Sequence, residues 1–279
     1  MLRLPFVVGV ALSLAPVSAH AQMYGCGGNG SDAPGVLFLV DQVTGEQTEI
    51  DDVVSPGGLT GLAFDASGNL YGSTIGGMGS TSTLVRIDPQ TGALLQTVGA
   101  ITAPGEGPIS IGDLATQPGT GLLFGIRSFA DEQGAGGEVY TIDPATAVAT
   151  FRGDTPGSDG GSLAFAPEGS LFQGARTATS NLVERVDPTT LAVLESKAFA
   201  TFFDGLAIRP GDGAIFGTGS EGVHRIDFTA GTQATLFPGP MDGSMSDLAF
   251  VPEPEGAAAG ACALAALARF RSRRRCANG

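Results

Sequence analysis

The sequence has no tryptophan, three cysteines, two histidines and few cations, and each shortage excludes a class of protein. Its 14 Lys+Arg stand against 28 Asp+Glu, a net charge of −14. The clustered cations that nucleic-acid binding requires are missing, so we expect no nucleic-acid partner. Three cysteines cannot staple 279 residues into a disulfide scaffold. His20 and His224 are the only histidines and no G-x-S-x-G motif occurs, so neither a zinc site nor a Ser-His-Asp triad has support.

Glycine is abundant where these residues are scarce. The chain has 44 Gly, 42% hydrophobic residues and 15% charged residues. The glycine share is about twice the usual ~7%. This composition indicates an acidic, globular, β-rich protein.

The first 21 residues have the pattern of a secretory signal peptide. Arg3 supplies the positive start, and an apolar run extends from Phe6 to Leu14. Ala19-His20-Ala21 fits the small-x-small cleavage rule, so we expect an exported chain that begins at Gln22. The alternative is a buried N-terminal helix.

The other end carries three elements in a fixed order. Pro252-Glu253-Pro254 interrupts the preceding strand pattern, and an apolar run follows from Gly256 to Leu267. The run is shorter than the ~20 residues of a full membrane span. It is followed by a basic cluster that would stay on the cytoplasmic side: Arg269, Arg271, Arg273, Arg274 and Arg275. A C-terminal amphipathic helix packed on the domain is the alternative.

This order resembles the PEP-CTERM sorting signal, over Val251 to Arg275. The resemblance implies an exosortase-like membrane enzyme as partner, which recognises and processes the tail. It also implies transient anchoring in the inner membrane by a hydrophobic C-terminal helix, a final location at the cell surface or outside the cell, and a polysaccharide neighbour. The short Ala-rich run and the trailing Cys276-Ala277-Asn278-Gly279 depart from that pattern.

Removing both ends makes the remaining chain more acidic. Without Arg3 and the five C-terminal arginines, 8 of the 14 cations remain, and without Glu253 and Glu255, 26 of the 28 anions remain. Residues 22–252 therefore have a net charge of −18. Such a charge keeps an exported protein soluble and repels nucleic acid and anionic lipid.

Between the ends the sequence repeats itself. Four segments share a Leu-Ala run, a Gly-bearing turn and an aromatic before a Gly: GLAFDASGNLYG from Gly61, DLATQPGTGLLFG from Asp113, SLAFAPEGSLFQG from Ser162 and GLAIRPGDGAIFG from Gly205. Each continues into a third run that ends in hydrophobic-Asp, as in LVRIDPQTG, and then into a fourth. Four short strands per unit of about 40–55 residues are typical of β-propeller blades.

Two partial units indicate how the ring closes. LFLVDQVTGEQTEI, from Leu37, matches a third and fourth strand, and SDLAF, Ser246 to Phe250, matches a first strand. We therefore predict an all-β fold with five four-stranded blades, of which one is composite and lacks its second strand. The predicted organisation is a signal peptide at 1–21, a Gly-rich leader at 22–35, a propeller at 36–250 and a sorting signal at 251–279. The repeats resemble those of secreted bacterial β-propellers.

Chemistry-bearing residues are few. Asp113, Asp204 and Asp247 fall at or beside the start of a first strand, which in propellers often lines the central channel. Paired carboxylates would permit glycoside hydrolysis, and carboxylate oxygens would permit calcium binding, although no EF-hand loop occurs. The repeated Asp88, Asp143 and Asp187 are expected to form turns. Cys26 is expected on a mobile leader, and a disulfide to Cys262 or Cys276 would cross the processing site.

These observations favour an exported surface or extracellular-matrix propeller that binds a polysaccharide or protein partner without catalysis. The alternative is a secreted hydrolase or lactonase that uses the channel carboxylates, with calcium as a candidate cofactor. A third possibility is an architectural protein with no specific ligand. The Gly-, Ser- and Thr-rich loops 72–83 and 128–137 are candidate binding loops.

Overall fold

A computed structural model describes residues 21–28, 31, 33–52, 58–75, 81–127, 137–155, 161–219, 221–238 and 245–252. It contains five four-stranded antiparallel sheets, which confirms the predicted five-bladed β-propeller. The signal pattern up to residue 20 and the tail from 253 onwards, with Cys262 and Cys276, lie outside the described residues. The described part contains no helix long and apolar enough to span a membrane.

The strands follow one another in the order of the sequence repeat. The chain begins with β1 (Met23–Gly27), β2 (Val36–Val40) and β3 (Gln47–Asp52). Blade 1 comprises β4 (Leu59–Phe64), β5 (Leu70–Ile75), β6 (Ser82–Ile87) and β7 (Leu94–Ala100), and a short hairpin, β8 (Thr102–Ala103) and β9 (Gly107–Pro108), leads to blade 2. Blade 2 comprises β10 (Ile111–Thr116), β11 (Leu123–Arg127), β12 (Glu138–Ile142) and β13 (Ala149–Asp154). Blade 3 comprises β14 (Ser162–Phe165), β15 (Leu171–Arg176), β16 (Asn181–Val186) and β17 (Val193–Phe199). Blade 4 comprises β18 (Gly205–Ile208), β19 (Ile215–Gly219), β20 (Gly222–Asp227) and β21 (Thr232–Pro238), and β22 (Met245–Phe250) ends the fold.

The composite blade 5 joins the two ends of the chain, in the order β22-β1-β2-β3. Its second strand is present, which corrects our expectation that it was missing. That strand, β1, comes from the segment 22–35 that we expected to be a leader, and it pairs with β22 and β2. The segment Met-Tyr-Gly-Cys-Gly is short and was not predicted as a strand, but its Met23 and Cys26 side chains are fully buried in the structure. A Cβ at position 25 would lie less than 3.0 Å from Met245 Sδ, so the close packing of Met245 on β1 uses the space that Gly25 leaves free.

Hydrophobic clusters between neighbouring blades form the core. One of them joins blades 1 and 2 through Leu84, Leu114 and Tyr140, and another joins blades 1 and 5 through Leu37, Leu62 and Val85. Each blade is therefore stabilised mainly by apolar burial against its neighbours. This explains why short, Gly-rich strands suffice for the fold.

The turns divide the propeller into two faces. The strands of each blade alternate in direction. The turn between the first and second strands and the turn between the third and fourth strands therefore lie at the same end of the propeller. We call this end the turn face. The aspartates predicted to form turns do so: Asp143 Oδ1 accepts the Ala145 N–H at 2.8 Å, and Asp187 Oδ1 accepts the Thr189 N–H at 2.8 Å. The opposite face carries the candidate loops, of which 76–80 and 128–136 lie outside the described residues.

Candidate functional site

Two of the three predicted carboxylates meet at the centre of the ring. Asp113 lies on β10 and Asp247 on β22, and both side chains are fully buried. They occupy the same repeat position, directly before the Leu-Ala pair of the innermost strand, where the other blades have Gly61, Ser162 and Gly205. Two glycines and a serine at that position leave room for two carboxyl groups.

Each carboxyl group bridges two adjacent blades. Asp113 accepts the N–H of Leu114 in its own blade and of Leu163 in blade 3, both at 2.6 Å. Asp247 accepts the N–H of Leu248 in its own blade at 2.6 Å and of Leu62 in blade 1 at 2.5 Å. The pair therefore supplies acceptors to four buried backbone N–H groups. Each of them would cost about 1–3 kcal/mol of folding free energy if it were left without an acceptor.

The two carboxyl groups also hydrogen-bond to each other. Burial raises the pKa of both, and the neighbouring charge of Asp247 raises the pKa of Asp113 further. Like charges so close in a buried site cannot both ionise, so the pair holds a proton at neutral pH. A protonated carboxyl supplies the donor that the hydrogen bond between the two groups needs.

Cys26 packs beside this pair. It is fully buried, and its Sγ lies 3.9 Å from the Leu59 carbonyl oxygen. Burial raises the pKa of its thiol, and the charges of Asp247 and Asp113 raise it further. The thiol is therefore inert in the folded state, and its buried position prevents a disulfide to the C-terminal tail without unfolding.

Asp204 is separate from the pair. It precedes Gly205, the residue of blade 4 that is equivalent to Asp113 and Asp247, so it is one residue out of register with them. Because successive strand residues point to opposite sides, this offset separates Asp204 from the pair. Its backbone N–H donates to Thr218 O at 2.7 Å. Burial raises its pKa to about 6, and the nearby Arg176 opposes that rise. The guanidinium of Arg176 stacks over the Phe202 ring at 5.0 Å.

His224 has a structural environment. It is fully buried on β20, its ring lies edge-on to Phe203 at 5.6 Å, and its Nδ1 lies 3.2 Å from Thr235 Oγ1. Burial lowers its pKa, so the imidazole is neutral.

No metal site is evident in the described part of the chain, where no group of three or more His, Cys, Asp or Glu side chains is placed to hold an ion. Calcium takes six to eight oxygen ligands. The oxygens of Asp113 and Asp247 already accept backbone N–H groups and share a proton, so the pair does not fit calcium. Asp204 does not join them.

A cavity that the sequence did not reveal opens on the turn face. Its volume is about 370 Å³, and all five innermost strands line it with their Leu-Ala pairs. The five leucines of these pairs form the floor of the cavity. Four of them donate their backbone N–H groups to Asp113 and Asp247, so the carboxyl pair lies just beneath the floor. Its mouth is rimmed by Asp65 and by prolines of the remaining blades: Pro118, Pro167, Pro210 and Pro252.

The turns around this mouth are strongly acidic. They contain one cation, Arg209, and eight acidic residues: Asp41, Glu46, Asp65, Asp88, Asp143, Glu168, Asp187 and Asp212. At the strand ends beside them, Asp227 adds one acidic group, and Arg86, Arg185 and Arg225 add three cations. Backbone N–H donors lower the pKa of Asp41, Asp143 and Asp187. The hydrogen bond from Arg209 lowers the pKa of Asp212 to about 2. The turn face therefore presents an apolar cavity within a field of negative charge.

The strand ends at the two chain termini also meet on the turn face. The Val251 N–H donates to Gln22 O at 3.0 Å, and the Gln42 side chain donates to Ala21 O. Arg209 donates to the Gln42 side chain at 2.9 Å and pairs with Asp212. The predicted signal-cleavage point and the start of the predicted sorting motif at Pro252 thus lie side by side.

Comparison with known proteins shows the fold. No family model and no curated protein sequence matches the chain. A chain in the crystal structure of a nidogen/laminin complex superposes with a TM-score of 0.55 and 11% identity, covering 83% of this chain and 98% of that chain. A protein of unknown function from Bacteroides caccae gives a TM-score of 0.52 at 13% identity, with 84% and 100% covered. A gluconolactonase from Xanthomonas campestris gives 0.49 at 19% identity, with 82% and 79% covered. At these identities the similarity shows a β-propeller and nothing about activity.

Proposed function

We propose that the protein is an exported β-propeller of the cell surface or extracellular matrix that binds a partner without catalysis, through the cavity on its turn face. The observation that carries this proposal is the state of the channel carboxylates. Asp113 and Asp247 are fully buried, and backbone N–H groups occupy their oxygens. A substrate cannot reach them without opening the ring.

The chemistry of the turn face favours a protein partner over a polysaccharide. The aromatic rings nearest the cavity already pack on other rings: Phe64 on Tyr24, Phe165 on Phe124 and Phe250 on Phe216. All three rings are buried, with 6%, 8% and 9% of their surface exposed, so they offer little exposed face for sugar stacking, and tryptophan is absent. An apolar cavity surrounded by carboxylates complements a peptide segment that carries apolar side chains beside cations.

Export and tail processing are compatible with this fold. Cleavage after Ala21 and removal of the chain beyond Pro252 would leave every strand intact, because β1 begins at Met23 and β22 ends at Phe250. The intact mass of the protein recovered from the surface and medium of its host tests this part. We expect a species that begins at Gln22 and ends between Val251 and Glu255. A mass that extends to Gly279 would contradict processing by an exosortase-like enzyme.

A titration with defined probes tests the binding role. We expect saturable binding of a peptide with an apolar run followed by arginines, and none of a peptide in which glutamates replace the arginines or of a neutral oligosaccharide. Reversing exposed charges on the turn face, Glu46→Lys and Glu168→Lys, should weaken binding by about two- to fivefold each, the usual range for a surface charge pair. Asp154→Lys makes the same charge change on an exposed residue of the opposite face, and should have no effect. Equal effects of all three variants, or no saturable binding of the cationic peptide, would contradict the proposal.

A secreted hydrolase or lactonase is the second candidate, and Asp204 is the observation that favours it. A carboxyl with a pKa of about 6 beside Arg176 can exchange protons near neutral pH. Turnover of lactone or ester substrates would establish this function in place of the binding role if Asp204→Asn abolishes it. If calcium takes part, chelation of calcium should also alter the turnover.

A further inference from the structure

The mouth of the cavity on the turn face has few backbone hydrogen-bond donors. In each blade the chain leaves the innermost strand through two residues, and the N–H of the first is already used; that of Asp65, for example, donates to Asn69 O at 2.9 Å. The second residue is proline in four of the five blades, and proline has no N–H. Only Ala66, in blade 1, has an N–H at that position, and Gly119 and Gly211 lie one residue farther along their turns. The mouth therefore offers a ligand more acceptors than donors.

The acceptors at this mouth are carbonyl and carboxylate oxygens. The carbonyl oxygens of Pro118, Pro167 and Pro210 accept no hydrogen bond within the described residues. The Asp65 carboxylate also lines the cavity, and no cation of the described part of the chain pairs with it. A group that carries positive charge and donates hydrogen bonds is therefore stabilised at this mouth.

One edge of the mouth also supplies a donor. Asp65 and Gln117 hold the same repeat position in neighbouring blades, and both line the cavity; we call them the polar edge. The side-chain oxygen of Gln117 accepts the Thr120 hydroxyl at 2.9 Å, and Gln117 Nε2 has no acceptor among the described residues. The cavity is not lined by the equivalent residues of the other three blades: Ala166, Arg209 and Val251. The polar edge thus combines a carboxylate with a free amide donor.

The interior of the cavity is apolar and closed by the leucine floor. Its wall has Thr116 in blade 2 and large apolar side chains in the other blades: Phe64, Phe165, Ile208 and Phe250. A volume of about 370 Å³ is less than that of two turns of a helix, ~10 Å wide and ~11 Å long. Because no chain passes through the floor, an occupant enters with a side chain, a loop tip or a chain end.

We propose that the occupant is the free N-terminal residue of a partner polypeptide, with an apolar side chain in the cavity and the α-ammonium group at the mouth. The ammonium group has a positive charge and three N–H donors, which match Asp65 and the free carbonyl oxygens. The carbonyl oxygen of the same residue accepts from Gln117 Nε2. This inference rests on the proposed function, because it names the partner of that same site.

Other parts of a polypeptide match the mouth less well. A C-terminus would bring a carboxylate into the field of the acidic turns, which contain eight acidic residues and one cation, Arg209, itself paired with Asp212. A loop tip would bring further carbonyl groups to a mouth that has few donors for them, and each unpaired group would cost binding free energy. The N-terminus is the part of a chain in which donors outnumber acceptors.

Two matched peptides test the inference on the protein that begins at Gln22 and ends at Pro252, which contains every described strand. The first is Leu-Leu-Gly-Arg-Arg-Gly with a free amino terminus and an amidated carboxyl terminus. The second is acetylated and has lysine in place of the last glycine, so that the net charge is the same. The titrations are done at about pH 6.5, below the usual α-amino pKa of about 7.7–8.0. We expect calorimetry to give a Kd at least about tenfold lower for the free peptide, which corresponds to ~1.4 kcal/mol.

Variants of the polar edge locate the ammonium group. Asp65→Asn removes the charge but keeps an acceptor for the Ser67 and Asn69 N–H groups, so the turn is retained. It should weaken binding of the free peptide by about three- to tenfold, the effect of one hydrogen bond, and that of the acetylated peptide by less than about twofold. Gln117→Met removes the amide donor and should weaken binding of the free peptide by about the same factor. Asp143→Asn makes the same charge change in a turn outside the cavity and should affect both peptides equally.

Three results would each overturn the inference: equal affinities of the two peptides, an equal effect of Asp65→Asn on both, or binding of leucinamide as tight as that of the free peptide. The last result would indicate a small amine as the ligand instead of a polypeptide. The proposed function is judged separately. If both peptides bind with equal affinity, only the specificity for an N-terminus is wrong, and if neither peptide binds, the binding role itself fails.

Discussion

The shared proton of Asp113 and Asp247 predicts that the propeller loses stability as the pH rises. In the unfolded chain an aspartate has a pKa of about 3.9. In the folded protein burial raises the pKa of both groups, that of Asp247 to about 8. The folded state therefore keeps a proton that the unfolded state releases. The resulting stability is fully present below pH 4 and is lost as the pH rises through the folded pKa.

The magnitude follows from the width of that pH range. One extra proton in the folded state lowers the free energy of unfolding by about 1.4 kcal/mol for each pH unit. Between pH 5 and pH 8 the loss is about 4 kcal/mol, against a typical total of ~5–15 kcal/mol. For a domain of this size, the loss corresponds to a fall in Tm of roughly 8–16 °C.

Asp113→Asn is the informative variant. Asparagine removes the like-charge partner of Asp247, so the proton is no longer required and the decline between pH 5 and pH 8 should become shallower. At pH 5 the variant should be less stable by about 1–3 kcal/mol, because one of the Leu114 and Leu163 N–H groups loses its acceptor.

Urea unfolding at several pH values, followed by tyrosine fluorescence or circular dichroism, measures both effects. Two other groups titrate in this range. Asp204, with a pKa raised to about 6, acts in the same direction up to about pH 6, and His224, with a lowered pKa, acts oppositely below about pH 6.5. Asp204→Asn is the control and should leave most of the decline in place. Stability that is constant or rising from pH 5 to pH 8, or an equal decline in Asp113→Asn, would refute the shared proton.

Three further predictions concern single side chains. Gly205→Ala should destabilise the propeller by more than about 2 kcal/mol in urea unfolding, because a new Cβ would lie 2.7 Å from Ser246 O and closer still to the Asp247 backbone; wild-type stability would mean that the inner strands are not packed as described. Cys26 should resist alkylation in native protein and react at once after unfolding, which mass spectrometry detects, and a fast native reaction would contradict its burial on β1. Arg209→Met should cost about 1–3 kcal/mol, because it removes the hydrogen bond to Gln42 that joins blades 4 and 5 and the hydrogen bonds to Asp212 within the blade 4 turn; Arg225→Met, at an exposed position, should cost little.

The blade pattern was predictable because each repeat carries its own turn chemistry. The Leu-Ala runs, the glycine before the second strand and the Asp turns recur in the same order in blades 1 to 4, and each of them lies in the structure where the repeat places it. The second strand of the composite blade was not predictable in the same way. Met23 to Gly27 has the aromatic before a glycine that marks its counterparts, Tyr24-Gly25, but no Leu-Ala run and turn precede it in the chain. Its first strand, β22, lies more than 200 residues away in the sequence, so the repeat pattern is interrupted there.

The site was predictable in part. That Asp113 and Asp247 share a repeat position is visible in the sequence, and a ring of five inner strands brings equivalent positions together. The sequence does not show that the carboxyl groups accept N–H groups of neighbouring blades, because those contacts depend on how the blades tilt around the axis. It also does not show the cavity, which lies between five strands and has no motif of its own. Asp204 was grouped with the other two although it is one residue out of register.

The most direct test of the binding role is the location of the bound peptide. In amide and methyl NMR spectra of the chain that ends at Pro252, titration with the cationic apolar peptide should shift the resonances of the inner-strand alanines that line the cavity: Ala63, Ala115, Ala164, Ala207 and Ala249. The resonances of Asp204 and Arg176 on the opposite face should stay in place. Shifts that centre on Asp204 and Arg176, with the five alanines unchanged, would contradict the account.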